Sequence, residues 1–395
     1  MRLLLALLVL TSAGCYRSHG QSSHSPDASS GCAPRPDLVC VRAPDACAAP
    51  ELVEPECDPL SLELRCPRGA REHAAAAPAE TCLPLAGLGE IRRIASAPVR
   101  LPIDEGCLWV LPEVELESGE IVENAGVVVD TSLPFGACPS AGRLLERASL
   151  VEVSSGEAPI VQLTGSHRVG GGELRVVYRH FVLDPGGGFG VRNLGTGVGV
   201  WDARRRRVVV PGADALRWPP EADLGDAVWS DGAYAYLYGC PGPPDFLTEA
   251  CIVGRVGADG ADELWDGDRW SRDVDPREAA LVFDAGPWRS AVARLRDGRY
   301  LHVYTVGFGT RLEAHVARAP EGPWTSLGVL AECELPADPG AYCAGPVVHE
   351  ELVDPLAPST LAISYSVGST TPGWGDRARE LPRDYWPRLV RVRVP

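Results

Sequence analysis

The chain has 395 residues and a formal net charge of −16, with 53 acidic residues against 37 basic residues that are all arginine. An acidic surface of this kind repels phosphate backbones, so we expect no nucleic-acid partner. The 43 glycines and 36 prolines occur without low-complexity runs, which predicts many turns between short strands rather than disorder. The length allows one large all-β domain or two ordinary domains.

Residues 1–14, MRLLLALLVLTSAG, have the features of a lipoprotein signal peptide. Arg2 supplies a positive charge, and Leu3 begins an apolar stretch far shorter than the ~20 residues that a membrane-spanning helix needs. The small residues before Cys15 resemble a bacterial lipobox, which implies cleavage there and acylation of that cysteine. Ordinary secretory cleavage nearby is the alternative. With Tyr16 next, the lipoprotein interpretation predicts an exported protein at the bacterial outer membrane, on its periplasmic or cell-surface side.

Residues 15–31 are polar and rich in serine, which is typical of a flexible tether. The next segment, 32–90, is rich in cysteine and proline, and its cysteines are Cys32, Cys40, Cys47, Cys57, Cys66 and Cys82. Without Cys15 the chain keeps an even number of cysteines, which suits disulfides in an oxidising compartment, and no paired C-x2-C spacing suggests zinc. Because so short a segment buries little core, we expect about three disulfides inside it, with their connectivity left open.

From residue 91 to residue 395 the sequence consists of short alternating runs separated by Gly, Pro and Asp. Five units share one order of strands, and they cover residues 106–132, 172–212, 226–271, 289–330 and 344–395. Asp-Gly pairs at 231–232 and 297–298 are tight hairpin signals. In the fourth unit, 311–319 is predicted to be the third strand, and Trp324 an anchor packed between neighbouring units. Such repeated antiparallel sheets predict an all-β fold, a five-bladed β-propeller over 91–395.

Ordered motifs in these units resemble a family of exported five-bladed propellers, the domain of unknown function 4185. The motifs are DAVWSDGAYAYLYGC, CIVGRV, LWDGDRW, VARAPEGPW, and HEEL followed by LAISY. The resemblance covers most of 101–394 and implies an architecture related to five-bladed glycoside hydrolases, with some relatives cleaving arabinose-containing polysaccharides. It also implies that Glu113 stands where the family has Asp in a Phe-Gly-Asp-Thr motif, followed here by Asn124.

Three carboxylates are candidate catalytic residues, namely Glu113, Asp226 and Glu313. Five-bladed glycosidases work with two carboxylates that face one central funnel, about 5–9.5 Å apart. Asp226 precedes a predicted inner strand, whereas Glu313 lies on a predicted third strand, which more often faces away from the axis. A solvated acidic residue is the alternative for each of them.

Four further residues are candidates for ligand contacts in the funnel: His349, Arg289, Asn124 and Tyr342. An imidazole can bind a sugar hydroxyl or a metal, or exchange a proton near neutral pH; a hydrogen bond within the blade core is the alternative for His349. Arg289 could contact an anionic sugar or form a plain salt bridge. Tyr342 could stack on a sugar ring or be buried between blades. No cofactor is predicted, and a calcium ion on the axis is left open.

The remaining cysteines are candidates for disulfides in the propeller. Cys240 with Cys251, and Cys333 with Cys343, are each close enough in sequence to close a loop inside one blade. Cys107 with Cys138 would bridge the first unit. An exchange of partners among these cysteines is the alternative.

Three functions are compatible with these features. The altered motif of the first unit and the lack of a clear carboxylate triad favour a surface-anchored propeller that binds an extracellular glycan without assured catalysis, with the membrane as a second partner through a lipid on Cys15. A glycoside hydrolase acting on a polysaccharide is the second function, and it requires paired carboxylates in one funnel. A protein-interaction scaffold that uses residues 32–82 is the third.

Overall fold

A computed structural model describes most of the chain beyond the predicted tether. The described residues are 32, 35, 37–42, 47–58, 61, 63–73, 81–104, 106–129, 138–139, 142–153, 160–184, 191–211, 215–240, 249–285 and 289–395. The predicted signal peptide, Cys15 and the tether lie outside them. Within these ranges, no helix is both long enough and apolar enough to cross a membrane.

Short strands make up the segment before residue 91. They are β1 (Cys40–Arg42), β2 (Glu51–Val53), β3 (Glu56–Cys57), β4 (Leu64–Arg65), β5 (Ala70–Glu72) and β6 (Thr81–Cys82). The strand β1 pairs with both β2 and β5, and β3 pairs with β4. None of these strands is longer than three residues, so hydrogen bonding alone holds the segment weakly and its disulfides must contribute.

Five sheets follow. The first contains β7 (Ile91–Ile94), β8 (Val99–Ile103), β9 (Gly106–Leu116), β10 (Ile121–Val129) and β11 (Gly142–Leu144). The second contains β12 (Val151–Val153), β13 (Ile160–His167), β14 (Arg175–Leu183), β15 (Val191–Asp202) and β16 (Arg207–Val210). The third contains β17 (Leu224–Ser230), β18 (Tyr234–Gly239), β19 (Glu249–Gly257), β20 (Asp262–Trp265), β21 (Trp270–Ser271) and β22 (Phe283–Ala285).

The fourth sheet contains β23 (Ala291–Arg294), β24 (Tyr300–Tyr304), β25 (Arg311–Ala317) and β26 (Thr325–Glu332). The fifth contains β27 (Ala341–His349), β28 (Thr360–Ser369) and β29 (Arg388–Arg393), to which β6 adds a fourth strand. A 3-10 turn at Glu350–Leu352 and the helix α1 (Trp374–Glu380) connect strands of this sheet. Strand pairs in all five sheets are antiparallel except β12 with β16.

The five sheets form a ring, because the innermost strand of each packs against the innermost strand of the next. The order is β8 against β13, β13 against β17, β17 against β23, and β23 against β27. Side chains of β8 and of the turn after β27 close the ring, as described below. The strand β6 pairs with β29, joining the N-terminal segment to the last sheet. The predicted five-bladed β-propeller is confirmed.

The apolar core of the described chain lies in the seams between blades. One cluster of buried side chains fills each of the five seams. For example, Leu108 and Val110 of the first blade pack with Leu163 and Val176 of the second. Sheets packed face to face remove apolar area from water on both faces, so each blade depends on its neighbours for its stability.

The predicted units match the third, fourth and fifth blades, but the first two units begin one strand late. The inner strands of those two blades are β8, with the sequence VRLPI, and β13, with the sequence IVQLTGSH. Both were missed because proline is uncommon in strands and the Thr-Gly-Ser run of the second is typical of turns, although both strands keep part of the alternation between buried and half-buried residues. The predicted strand at 311–319 corresponds to β25.

Two predicted local features of the blades are confirmed. Gly232 and Gly298 have positive φ angles of 87° and 90° in the hairpins after β17 and β23, a conformation that glycine adopts without steric cost. Trp324 packs edge-on against Tyr238 and Phe283 of the preceding blade, with ring centroids 6.2 and 5.2 Å apart. It therefore anchors the fourth blade to the third.

The disulfides Cys240–Cys251 and Cys333–Cys343 form as predicted, closing short loops. The predicted Cys107–Cys138 pair is wrong: these cysteines bond Cys47 and Cys82 of the N-terminal segment. Inside that segment only two described disulfides form, Cys32–Cys57 and Cys40–Cys66, rather than about three. The physical reason is that β6 belongs to the fifth sheet, which brings the segment against the propeller and offers its cysteines partners there.

Candidate functional site

A cavity of about 340 Å³ lies on the axis of the propeller, and all five blades line it. Its walls come from residues 98–100 and 102 of the first blade, 164–168 of the second, 227–230 and 232 of the third, 289–292 of the fourth, and 346–348 and 350 of the fifth. Cys47 and Ala48 of the N-terminal segment also line it. A concave site that several elements build together is the usual place for a ligand.

Arg289 lines this cavity just before the start of the fourth inner strand. Its Nη1 donates to the carbonyl oxygen of Leu163, and its Nη2 donates to those of Ala97 and Pro98, each at 3.4 Å. These carbonyls lie at or just before the start of the lining stretches of the first and second inner strands. Burial lowers the pKa of Arg289 to about 10, so the group stays charged at neutral pH.

Two buried polar side chains of the wall, His167 and Ser290, have no hydrogen-bond partner among the described residues. Their residues are 3% and 4% exposed. Burial, with added repulsion from Arg175 and Arg217, lowers the pKa of His167 to about 4. The imidazole is therefore neutral, with one nitrogen that donates and one that accepts. Since buried polar groups in proteins are nearly always hydrogen-bonded, both side chains are suited to a polar molecule in the cavity.

Trp229 supplies an aromatic surface to the same wall. Its ring stacks on Tyr236 with centroids 5.7 Å apart and meets Tyr300 edge-on at 5.0 Å. Part of the residue remains exposed. Because two neighbouring rings hold it, Trp229 presents a rigid apolar face, which is the kind of surface on which a sugar ring can pack.

Asp226 is the only one of the three predicted catalytic carboxylates that lies beside the cavity. It precedes the lining residues of β17, and its charge acts on Arg289. Its side chain is 3% exposed and pairs with Arg179 at 2.8 Å, which also holds Asp223 at 2.7 Å. Burial raises the pKa of both carboxyl groups although Arg179 opposes the shift, and repulsion by Asp226 contributes further to the increase at Asp223.

Glu113 and Glu313 lie away from the cavity. Glu113 is on the second strand of its blade, β9, and pairs with Arg93, which corrects the expectation that it faces the funnel. It lines a separate cavity of about 290 Å³ together with Glu123. Glu313 is on the third strand, β25, as predicted, and accepts a hydrogen bond from the Tyr304 hydroxyl at 3.2 Å.

The described wall of the axial cavity carries one carboxylate, Glu350. Its oxygen lies 3.9 Å from a guanidinium nitrogen of Arg100, and burial raises its pKa. The inner strand of the first blade, VRLPI, contributes no acidic residue. Across the ranges that the structure covers, no group of three or more His, Cys, Asp and Glu side chains is arranged to hold a metal ion.

His349 is completely buried between protein partners, so it is not available to a ligand in the cavity. Its Nδ1 lies 2.9 Å from Oε1 of Glu351, and its Nε2 lies 2.7 Å from the Ser364 hydroxyl. Glu351 also accepts hydrogen bonds from Trp109 Nε1 at 3.0 Å and from Arg100 Nη1 at 2.8 Å. These five residues, which we name the seam network, join the first blade to the fifth. The predicted ligand role of His349 is thereby replaced by a structural one.

Within the seam network the pKa values of His349 and Glu351 are both lowered. Burial lowers the pKa of His349, although Glu351 opposes the shift. Burial alone would raise the pKa of Glu351, but Arg100 and His349 lower it to about 2. Glu351 is therefore ionised and His349 neutral over the physiological range, so a buried carboxylate is balanced by the Arg100 guanidinium.

Asn124 and Tyr342, both predicted ligand contacts, also make contacts within the protein. Asn124 is 3% exposed, and its Nδ2 donates to the carbonyl oxygen of Val161 at 2.9 Å, across the first seam. Tyr342 meets Phe308 edge-on at 4.9 Å, and its ring lies so close to Gly368 that a Cβ there would approach it to 2.6 Å. Neither residue lines the axial cavity.

Sequence reasoning missed His167, Ser290 and Trp229 and found Arg289. His167 ends β13, an inner strand that was not recognised. Ser290 directly follows Arg289, and Trp229 stands two residues before the Asp-Gly turn of its blade. The sequence signal that could have identified Trp229 is its distance from the hairpin turn, because residues shortly before that turn lie at the end of an inner strand.

Replacing His167 with glutamine should make the protein less sensitive to acid. The pKa of His167 falls from 6.5 in the unfolded chain to about 4 in the fold, so protonation favours unfolding, and stability is lost as the pH falls from 6.5 towards 4. At pH 4.5 this residue should account for about 2–3 kcal/mol of the loss. Urea unfolding at pH 7 and 4.5 measures it; an equal loss in the parent and the variant would contradict the assignment.

Comparison with known proteins finds one matching family model and several solved structures of low sequence identity. The family model described as "Domain of unknown function (DUF5005)" matches residues 152–393, whereas the sequence motifs had suggested the domain of unknown function 4185. No curated protein matches the chain. A Bacteroides ovatus ATCC 8483 crystal structure, provisionally assigned as a hydrolase, is 13% identical with a TM-score of 0.53, covering 76% of this chain and 87% of that one. At this identity the likeness concerns the fold alone.

Two further similar structures have lower TM-scores. The GH43_1 enzyme from Xanthomonas citri complexed with xylose is 14% identical with a TM-score of 0.42, covering 78% of this chain and 92% of that one. The endo-arabinase from Bacteroides thetaiotaomicron VPI-5482 is 12% identical with a TM-score of 0.40, covering 80% and 98%.

Proposed function

Because the chain belongs to the family described as a domain of unknown function (DUF5005), whose description names no activity, we propose a function from the axial cavity itself: it binds an extracellular glycan without cleaving it. The observation that carries this proposal is the convergence of His167, Ser290 and Arg289 on one cavity beside the ring of Trp229. Sugars combine hydroxyl groups with an apolar ring face. A wall with unpaired donors and acceptors beside a fixed aromatic ring complements both.

We propose that the glycan is not cleaved because the described lining residues offer no suitable pair of carboxylates. Hydrolysis of a glycosidic bond needs an acid and a second carboxylate on opposite sides of the bond. Among the described lining residues Glu350 is the one carboxylate, and Arg100 lies beside it. Asp226 immediately precedes the lining residues of β17 and is paired with Arg179. This arrangement supports binding better than bond breaking.

The test is a substitution of Trp229 with alanine in the mature chain that carries Cys15→Ser. We expect glycan affinity, measured by calorimetry after an array has identified a ligand, to fall about tenfold or more, because a buried aromatic anchor contributes strongly to binding. Trp374→Ala is the matched control, since Trp374 lies on α1 and is 39% exposed. Equal affinity for parent and Trp229→Ala would contradict the proposal.

A glycoside hydrolase is the second candidate, and the position of Asp226 favours it. Burial raises the pKa of this carboxyl group beside the cavity, as is common for catalytic acids. Release of reducing ends from arabinan and xylan distinguishes the two functions. If the parent releases sugar and Asp226→Asn does not, whereas Glu113→Gln does, the protein is a hydrolase; no release by the parent supports binding alone.

We also propose that the mature chain is a lipoprotein, acylated on Cys15 and held at the bacterial outer membrane. The support is the sequence MRLLLALLVLTSAGC, with its short apolar stretch and small residues before the cysteine. Metabolic labelling with a radioactive fatty acid should mark the parent and not Cys15→Ser. We also expect Cys15→Ser in the soluble periplasmic fraction. Labelling of both the parent and the variant would refute acylation of Cys15.

A further inference from the structure

We propose that the axial cavity selects a negatively charged sugar, with Arg289 binding the carboxylate of a uronic acid while Trp229 packs on its ring. This inference deepens the proposed glycan binding and rests on it. It names the ligand class as acidic glycans, such as polymers of uronic acids. Three observations carry it: the charge of the wall, the unused capacity of Arg289, and the neutral polar groups around it.

The formal charge of the side chains that line the cavity is positive, whereas that of the whole protein is negative. The chain has a net charge of −16, yet the charged side chains that line the cavity are Arg100, Arg168 and Arg289 against Glu350. Arg100 is balanced by Glu351 and Glu350, and Arg168 lies 3.7 Å from Asp104. Arg289 is therefore the positive charge of the wall without an ion pair among the described residues, and such a charge in a concave site attracts anions.

Arg289 forms no ion pair with any described residue, although its guanidinium is buried. Its nearest source of negative charge is Asp226, which pairs with Arg179 instead. Its three contacts are to carbonyl oxygens, all at 3.4 Å, near the long limit for a hydrogen bond. A guanidinium has five N–H donors, so donors remain for a ligand.

The same contacts orient Arg289 for a planar anion. The carbonyl oxygens of Leu163 and Ala97 hold the guanidinium from two blades, so little side-chain entropy is lost when a ligand binds. Carboxylates pair with a fixed guanidinium through two parallel hydrogen bonds, which are stronger and more directional than neutral ones. A partly enclosed cavity strengthens this attraction because less water screens it.

The surroundings of Arg289 favour a sugar acid over a small inorganic anion. Next to Arg289, the Ser290 hydroxyl has no described partner, and neutral His167 can both donate to and accept from hydroxyl groups. Trp229 adds an apolar face that an inorganic anion cannot use. A cavity of about 340 Å³ has room for one or two sugar residues.

The experiment compares trigalacturonate and trimannuronate with their methyl esters, which have the same sugars without the charge. The protein is the mature chain with Cys15→Ser, and binding is measured by calorimetry. We expect at least one free acid to bind at least tenfold more tightly than its ester, as a charge-assisted pair predicts. In Arg289→Met the preference for the free acid over its ester should vanish, and Arg289→Lys should retain part of it.

The control is Arg311→Met, which removes one positive charge from an exposed ion pair with Glu332 outside the cavity. It should keep the preference for the acid. Equal affinity of the parent for acid and ester, or an unchanged preference in Arg289→Met, would overturn the inference while leaving glycan binding intact. Acetate alone binding as tightly as the tri-uronates would also overturn it. No binding of any acid or ester, together with a silent glycan array, would refute both this inference and the proposed function.

Discussion

Replacing Glu351 with glutamine should lower the free energy of unfolding by about 3–5 kcal/mol, because removing one partner of a buried ion pair leaves the other charge uncompensated. Glu351 is 2% exposed. It accepts hydrogen bonds from Arg100 and Trp109, and its Oε1 lies 2.9 Å from Nδ1 of His349. After the substitution, Glu350 at 3.9 Å is the one carboxylate among the described residues that still pairs with the Arg100 guanidinium. The seam between the first and fifth blades, where the ring closes, should weaken first.

Urea unfolding of Glu351→Gln and of a control, Glu332→Gln, measures this difference at neutral pH. Glu332 forms a 2.9 Å pair with Arg311, but the two side chains are 64% and 57% exposed, so its loss should cost at most about 1 kcal/mol. Similar midpoints for the two variants would show that the seam network contributes little.

The effect of Glu351→Gln should also depend on pH. The pKa of Glu351 is lowered from 4.5 to about 2, so its ionised form contributes stability that is fully present above pH 4.5 and is lost as the pH falls through about 2. Parent and variant should therefore converge in strong acid. A constant difference across this range would mean that packing, rather than charge, causes the loss.

Removing the Cys82–Cys138 disulfide should have the second large effect. The two cysteines are 56 residues apart, and constraining a loop of that length in the unfolded chain stabilises the fold by roughly 4 kcal/mol. The strand that carries Cys82 pairs with β29 through only two residues, Thr81 and Cys82. Without the crosslink this short strand should detach readily from the fifth sheet.

The double variant Cys82→Ser, Cys138→Ser tests this, with Cys240→Ser, Cys251→Ser as the control. The control bond spans 11 residues, for which chain entropy predicts a smaller loss of roughly 3 kcal/mol. Hydrogen exchange should accelerate in β29 only for the first variant. Unchanged exchange in β29 would show that pairing with β6 does not depend on the crosslink.

Local sequence patterns were sufficient for much of the fold. The Asp-Gly pairs predict the hairpin turns after β17 and β23. Strands such as β25 are predicted by the alternation of apolar and polar residues, because successive side chains of a strand point to opposite faces and one face is more buried than the other. Trp324 was identified as an anchor from the turn before it. The two disulfides with short spacings, Cys240–Cys251 and Cys333–Cys343, followed from proximity along the chain.

The candidate site was much less predictable. Of the residues proposed from sequence, Arg289 lines the axial cavity and Asp226 lies beside it, while Glu113 and His349 have other surroundings. The inner strands carry the site, and they are covered on both faces by neighbouring blades. The proline of β8 and the Thr-Gly-Ser run of β13 concealed these two strands, although both keep part of the alternation.

The sequence by itself determined the all-β class, the turns, the number of blades and the short-range disulfides, since each depends on residues close together in the chain. Only the tertiary structure decided which cysteines join the N-terminal segment to the first blade, and that Arg289 lines a cavity shared by five strands. It also decided that Arg100 meets Glu351, 251 residues away. Closing the ring creates these contacts, and no local pattern encodes which distant side chains will then face each other.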